Sequence, residues 1–362
     1  MTTTKNNEHK NIKVPNLRFK EFQGEWITYK IKDVLSIGNG RDYKHLNNGG
    51  IPVFGTGGYM KSVDECLYDG ETTFIGRKGS INKPFYYNGK FWTVDTLFYT
   101  HSFNGITPKF TYCLFQTINW LKYNEASGVP SLSKDTIEKI KIKIPGLEEQ
   151  NKIAKLMFAL DERIATQNKI IEDLKKLKSA ISKKLLCNDK WTTCIIQDIA
   201  EIGRGRVISS VEIDRQKHPL YPVYSSQTSN NGIMGYLDNY MFDGEYITWT
   251  TDGANAGTVF YRKGKFNCTN VCGTLKILPK FDCYFVSLVL QQATQKYVSS
   301  NLANPKLMNN TMASIKIRMP NIETQKQLSK VFKTLDSCLL IHQRTCKMYL
   351  SENQYLLRQM FI

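Results

Sequence analysis

The chain has 362 residues, of which 41% are apolar and 22% are charged, a composition that excludes a disordered or fibrous protein. Its length predicts about two domains. Lysine and arginine exceed aspartate and glutamate, which gives a net charge of +17 that no single tail carries. Charge spread in this way favours a long contact with nucleic acid, although a basic protein without that role would have the same composition.

The sequence indicates no membrane segment, secretion signal or structural metal site. The longest apolar stretch, residues 283–290, is too short to span a bilayer, and the first ten residues contain no apolar core. Among the nine cysteines only Cys268 and Cys272 are closely spaced, and no histidine lies near them. We therefore expect a cytoplasmic protein without bound metal, whose cysteines act as small apolar residues.

The same sequence pattern occurs twice along the chain. Residues 31–41, Ile-Lys-Asp-Val-Leu-Ser-Ile-Gly-Asn-Gly-Arg, match residues 196–206, Ile-Gln-Asp-Ile-Ala-Glu-Ile-Gly-Arg-Gly-Arg. The offset between matched residues grows from 165 through 170 and 174 to 175, which indicates loops of different length. Six matches in one order indicate a duplication, and the other five are 51–54 with 221–224, 68–71 with 242–245, 88–91 with 263–266, 140–145 with 315–320, and 160–161 with 335–336.

Each copy begins with a segment typical of a globular α+β domain. Short β-type runs, such as residues 72–75 and 246–250, alternate with Asn-Gly and Asp-Gly turns. Helices are predicted near residues 110–122 and 284–298. The first globular domain is predicted at 1–146 and the second at 191–320.

Each copy ends in a long helix, predicted at 147–190 and 321–362, after Pro145 and Pro320. Apolar residues recur there at alternating spacings of four and three, the heptad pattern of a coiled coil. Each helix should have about 39 residues and span ~58 Å, whereas an amphipathic helix lying on a domain core is usually shorter. The predicted seam includes Ile164, Gln167, Ile171, Leu174, Leu339, His342, Tyr349, Asn353 and Leu356.

The order of the segments predicts how the two helices run. The second globular domain lies between the helices, and the termini of a domain are often close together, so the helices should form an antiparallel pair. The two globular domains are then related by a pseudo-twofold axis. Placing Gln167 opposite Asn353 also places Lys178 opposite His342, which collects the polar seam residues into two layers. The same register pairs Ile164 with Leu356 and Ile171 with Tyr349.

The sequence contains no motif that builds an active site. A phosphate-binding loop is absent, and the fragments at Gly38 and Gly203 lack the third glycine of a dinucleotide site. His45, His101 and His218 have no recognisable nucleophile or carboxylate partner. We therefore expect a non-catalytic binding protein that directs the chemistry of other proteins.

Residues at both ends of the first copy resemble the specificity subunits of type I restriction–modification systems. One such segment is residues 14–26, Val-Pro-Asn-Leu-Arg-Phe-Lys-Glu-Phe-Gln-Gly-Glu-Trp. Another is Ser131-Leu-Ser-x-x-x-Ile137 followed by Pro145, Glu149-Gln150, Ile153-Ala154 and Leu160-Asp161. The second copy keeps Met319-Pro320, Glu323, Gln325 and Leu335-Asp336, and departs at Leu307-Met308.

This resemblance implies a sequence-specific subunit for double-stranded DNA. Each globular domain would be a target-recognition domain that reads one half of a bipartite, asymmetric target, and the helix pair would fix the gap between the halves. The subunit would seat two methyltransferase (modification) subunits, which bind S-adenosylmethionine and methylate adenine, and would be joined by restriction subunits that use ATP and Mg²⁺. It would carry no cofactor and no catalytic residue of its own.

Cations and amides in the loops are candidates for DNA contacts, because arginine recognises guanine, and asparagine or glutamine recognises adenine. Arg41 and Arg206 occupy matching positions in the two copies, which favours a shared task such as phosphate binding over the reading of different bases. The candidates are Arg41, Arg77, Lys78, Lys83, Arg204, Arg206, Gln227, Asn255 and Arg262.

Two alternatives remain open at this point. One is a coiled-coil scaffold protein that binds no DNA. The other is a specificity subunit for a combined nuclease–methyltransferase, which the sequence hardly distinguishes from type I because the partner defines the class. A methyltransferase reading frame beside the gene would favour the restriction–modification interpretation.

Overall fold

The computed structural model describes residues 14–186, 189–299 and 304–362. The expectation that the first ten residues carry no secretion signal, and Cys187, lie outside the described residues. The chain divides into two compact units, one made of residues 14–169 with 343–362 and the other of residues 170–342. Each unit therefore combines one globular domain with part of both long helices.

The first unit contains a six-stranded sheet in the order β2-β7-β5-β6-β3-β4 and a separate pair of strands, β1 and β8. All neighbours are antiparallel except β3 and β6, which pair in parallel at Val53 and Trp92. Its strands are β1 Ile27–Lys30, β2 Ser36–Asn39, β3 Asn48–Gly55, β4 Gly58–Val63, β5 Tyr68–Gly76, β6 Phe85–Thr93, β7 Leu97–His101 and β8 Lys141–Ile144. Its short helices are α1 Ile31–Val34, α2 Pro108–Thr117 and α3 Lys134–Lys139, and the long helix α4 spans Leu147–Leu185.

The central strand β5 is covered on both faces of the sheet, which explains why the consecutive residues Phe74 and Ile75 near its end are both apolar. Phe74 packs in an aromatic cluster with Phe54 and Phe91, whereas Ile75 belongs to the main core with Phe110 of α2. Helix α2 begins after Thr107, whose hydroxyl accepts a hydrogen bond from the backbone N–H of Phe110. The first globular domain is therefore a sheet between a helical layer and an aromatic cluster.

The second unit repeats this topology, with the sheet order β10-β15-β13-β14-β11-β12 and a separate pair β9 and β16. The strands are β9 Thr192–Ile195, β10 Ala200–Arg204, β11 Tyr221–Tyr224, β12 Ile233–Leu237, β13 Phe242–Thr250, β14 Val259–Cys268, β15 Cys272–Ile277 and β16 Lys316–Met319. The helices are α5 Ile196–Ile199, α6 Ser210–Asp214, α7 Cys283–Ala293, α8 Asn309–Ser314 and the long α9 Ile322–Met360.

The predicted elements of both globular domains are confirmed. The β-type runs 72–75 and 246–250 lie in β5 and β13. The helices predicted near 110–122 and 284–298 are α2 and α7, each followed by a 3-10 turn. The duplication is therefore a duplication of an α+β fold.

The segment before β1 packs on the rest of the first unit, and its most buried polar contact is with a carboxylate of α4. Glu149, at the start of α4, accepts hydrogen bonds from Arg18 Nε and Nη2 at 2.8 and 2.7 Å. Trp26 packs against Phe110 and against Phe361, which follows the end of α9. Trp191 and Phe285 make the corresponding aromatic contact in the second unit.

The two long helices have 39 residues each, as predicted. In the first unit Asp161 accepts a hydrogen bond from Asn353 Nδ2 at 2.9 Å, and Asn168 lies 3.4 Å from the thiol of Cys346. Asn168 lies seven residues after Asp161 in α4, and its partner Cys346 lies seven residues before Asn353 in α9. The two helices therefore run antiparallel. In the second unit Lys178 pairs with Asp336, and residues near the end of α4 share a core with the start of α9.

The predicted register of the helix pair is wrong by six residues. Asn353 bonds to Asp161 instead of facing Gln167, and in the second unit Lys178 pairs with Asp336 instead of facing His342. Six residues correspond to about 9 Å along a helix. The physical reason is that two half-buried carboxylates beside the seam take these polar partners, because a carboxylate withdrawn from water needs a hydrogen-bond donor.

The seam residues lie at the interior face of the helices. Asn353 is buried, and the other eight are half-buried. Within the described ranges, no helix is both long and apolar enough to cross a membrane.

Candidate nucleic-acid interface

Four loops meet at one end of the first globular domain, which we call its loop end: residues 40–47, 56–57, 77–84 and 94–96. The backbone N–H of Arg41 donates to the carbonyl of Thr93 at 2.8 Å, and that of Arg77 donates to the carbonyl of Thr96 at 2.8 Å. Residues 42–44, 55–60 and 94–96 line one cleft there. The four candidate cations of this domain are therefore brought to one end of the sheet.

Three of these cations are available to a ligand. Arg41, Lys78 and Lys83 are exposed, and no described residue forms a hydrogen bond or ion pair with their side chains. Arg77 is half-buried, because its guanidinium lies over the ring of Phe98 at 5.9 Å and donates to a backbone carbonyl. Such exposed cations suit the phosphates of a DNA backbone.

The corresponding loop end of the second domain is formed by residues 205–209, 225–232, 251–258 and 269–271. The backbone N–H of Arg206 donates to the carbonyl of Cys268 at 3.2 Å. Thr93 and Cys268 are matched residues of the two copies, so the backbones of Arg41 and Arg206 are equivalent, as their sequence positions suggest.

The arginine side chains of the second loop end differ from those of the first. Arg206 makes a two-pronged ion pair with Glu212 of α6, with one contact of 2.9 Å. Arg204 donates to the Thr251 hydroxyl at 3.1 Å and to Asp252 at 3.3 Å. Both charges are therefore partly balanced within the domain.

The remaining three candidates of the second domain contact the loop 225–232 or its base; Gln227 and Asn255 are half-buried. Asn255 Nδ2 donates to the carbonyl of Ser226 at 3.2 Å, and Gln227 Nε2 donates to the carbonyl of Ile233. Arg262 is only 3% exposed. Its guanidinium is enclosed between aromatic rings, which disfavours the predicted direct contact of Arg262 with DNA.

A tyrosine–carboxylate pair that is not among the sequence-predicted site residues recurs in both domains. Tyr86 of β6 donates to Glu71 of β5 and packs edge-on against Phe158 of α4 at 5.0 Å. Tyr261 and Glu245 form the equivalent pair. Burial, reinforced by the carboxylate, raises the pKa of both phenols. These tyrosines stay protonated at neutral pH and attach the sheet to the long helix; their matching repeat positions could have indicated them.

Two features could make the described residues reactive, a metal-binding cluster and the paired cysteines. The described residues contain no group of three histidine, cysteine or acidic side chains placed to hold a metal ion. Burial raises the pKa of Cys268, and it raises the pKa of Cys272 to about 11, so both thiols are protonated and poorly nucleophilic at neutral pH. The arrangement is suited to binding, and no step of covalent chemistry follows from it.

Comparison with protein families gives a match over most of the chain. The model of the type I restriction modification DNA specificity domain matches residues 23–176 and again residues 188–347. A type I specificity subunit of Mycoplasma pneumoniae is 36% identical over 215 residues, covering 58% of this chain and 80% of the relative. The type I restriction enzyme MpnII specificity subunit of the same organism is 42% identical over 145 residues, covering 40% of this chain and 43% of the relative.

Solved structures share the fold at low sequence identity. The crystal structure of a type I restriction–modification S subunit from M. genitalium matches with a TM-score of 0.78 at 16% identity, over 96% of this chain and 99% of that chain. A chain from a structural study of complex assembly and conformational transition in a type I system matches with a TM-score of 0.53 at 12% identity, over 92% and 96%.

Proposed function

We propose a DNA-binding role for this chain, which belongs to the type I restriction–modification DNA specificity family. Its two loop ends bind the two halves of a bipartite, asymmetric double-stranded target. The observation that carries the proposal is a common scaffold with different loops. The backbone N–H groups of Arg41 and Arg206 donate to carbonyls of matched residues in the two domains, whereas the neighbouring side chains and loop lengths differ. A shared scaffold provides equivalent docking on the duplex, and different loops select different bases.

The proposed partners supply the chemistry. Two modification subunits would bind S-adenosylmethionine and methylate adenine, and restriction subunits would add ATP- and Mg²⁺-dependent cleavage. This chain would hold no cofactor and would act in the cytoplasm, beside the chromosome. The distribution of positive charge supports contact with the anionic backbone of DNA.

The test is to co-express the chain with the methyltransferase encoded beside its gene and to map methylated adenines across the host genome. We expect one motif with two defined parts and a fixed gap. A methylation pattern with a single contiguous motif, or none with an assembled complex, would contradict the proposal. A partner that fuses nuclease and methyltransferase would assign the chain to that other class of system.

A further inference from the structure

The loop between β11 and β12, residues 225–232, distinguishes the second loop end from the first. It contains eight residues, whereas the matching connection between β3 and β4 contains only residues 56–57. Strand order and pairing are otherwise the same in the two domains. The loop is six residues longer, while β3 extends one residue further than β11 and β4 is one residue longer than β12, so the repeat offset grows by four, from 170 to 174.

The base of this loop is held closed by hydrogen bonds. The backbone N–H of Ser225 donates to the carbonyl of Gly232 at 2.9 Å. The side chain of Asn255 donates to the loop carbonyl of Ser226. The side chain of Gln227, which is itself in the loop, donates to the carbonyl of Ile233 at the start of β12. The loop therefore has a defined shape before any ligand binds.

A buried guanidinium supports the loop from below. The guanidinium of Arg262 lies 3.6 Å from the centre of the Tyr224 ring and 4.4 Å from that of Phe260, and Nε donates to the Thr248 hydroxyl at 3.2 Å. A Cβ added at Gly232 would lie 3.0 Å from Nη2 of this arginine. Burying a guanidinium without a carboxylate is costly, so the ring and hydroxyl contacts are needed to hold Arg262 in place, with its Nη2 close to Gly232 of the loop.

The tip of the loop presents two adjacent asparagines. Asn230 and Asn231 are exposed and have left-handed backbones, with φ values of 47° and 54°. No described hydrogen bond occupies either side-chain amide. Asparagine tolerates this conformation better than most residues with a side chain. The two asparagines therefore serve either the shape of the turn alone or also the binding of a ligand by their amides.

We propose that residues 225–232 form the base-reading element of the second domain, in which Asn230 and Asn231 recognise adenine in one half of the target. An asparagine amide donates to N7 and accepts from N6 of adenine in the major groove. Reading by a preformed loop avoids the entropic cost of ordering it on the DNA. Gln227, Asn255 and Arg262 are positioning residues that act through the loop. This inference rests on the proposed function.

The test uses the full chain with its methyltransferase partner and compares the methylation motif of Asn230→Gly and Asn231→Gly with that of the wild type. Glycine adopts the same left-handed backbone and removes only the amide. We expect at least one variant to lose discrimination for an A·T pair in one half of the motif by roughly 5- to 150-fold, with the other half unchanged. Asn→Asp at the same position keeps the shape but cannot donate to adenine, so methylation of the wild-type motif should fall.

The matched control is Asn239→Gly, because Asn239 is also an exposed asparagine but lies at the opposite ends of β12 and β13. It should leave the motif unchanged. If both loop-tip glycine variants keep the wild-type motif, the asparagines serve only the turn and the inference is overturned; changes in both halves would overturn it as well. If the wild-type complex itself shows no two-part motif, the proposed function fails, which is a distinct result.

Discussion

At the scale of single residues, Arg41 and Arg206 show that equivalent backbone positions need not have equivalent electrostatics. Both are anchored by the same backbone hydrogen bond. Glu212 binds the Arg206 guanidinium and raises its pKa, whereas no described carboxylate pairs with Arg41. A DNA phosphate would therefore compete with a carboxylate at Arg206 and with water alone at Arg41.

We predict that Arg41→Ala weakens binding to all DNA sequences and reduces the slope of log affinity against log salt concentration by about one. Arg206→Ala should act in the same direction with a smaller effect, because Glu212 already balances that charge. The measurement is DNA binding by the assembled subunit complex across a salt series, on target and unrelated duplexes. Glu212→Gln is the matched control and should increase the salt slope. Should Arg41→Ala alter only the sequence preference, the phosphate role is wrong.

The candidate site was only partly predictable from sequence. The arginines and lysines of the loops could be identified because Gly-containing turns separate the strands. The burial of Arg262 could not be predicted, because a position within β14 does not reveal that Tyr224 of the neighbouring strand β11 covers its guanidinium. Nor could the pairing of Arg206 with Glu212, which depends on the path of the intervening loop.

At the scale of elements, the long helices were predictable and their register was not. A heptad repeat specifies which face of a helix is apolar, and this fixes the existence and length of α4 and α9. Register depends on a few polar contacts. Asp161 and Asp336 are matched residues of the two copies, and their partners Asn353 and Lys178 are likewise matched. Burial raises the pKa of Asp161, partly offset by the hydrogen bond from Asn353, so this carboxylate favours a donor over a purely apolar neighbour.

The register predicts a cross-link that needs one substitution. Asn168→Cys places a thiol opposite the native Cys346, whose sulfur lies 3.4 Å from the Asn168 amide oxygen. We expect an intramolecular disulfide under mild oxidant, detected by peptide mass mapping without reduction. Cysteines at 167 and 353 are the matched control and should remain unlinked, being about 9 Å out of register. A cross-link in the control pair, with none at 168 and 346, would restore the register first predicted.

At the scale of the whole molecule, each unit has a core of its own. The core of the first unit contains residues between Trp26 and Met157 together with Met360 and Phe361, all of which belong to that unit. The core of the second unit contains residues between Leu186 and Phe332. As a non-catalytic specificity subunit, the chain can therefore change the bases read by one domain without rebuilding the core of the other. Duplication followed by divergence of the loops is physically simple in such an arrangement.

We predict that replacing residues 191–320 with the matching domain of another specificity subunit changes one half of the methylation motif and leaves the other half and the gap unchanged. The donor must keep apolar residues facing Leu186 and Phe332, because these two residues lie outside the replaced segment and share the core of the domain. A donor lacking them should lower thermal stability and complex yield, since a large buried side chain that loses its partners costs about 3–5 kcal/mol. Genome-wide methylation mapping measures the motif. A chimera that folds and assembles but changes both halves would show that the two domains do not read DNA independently.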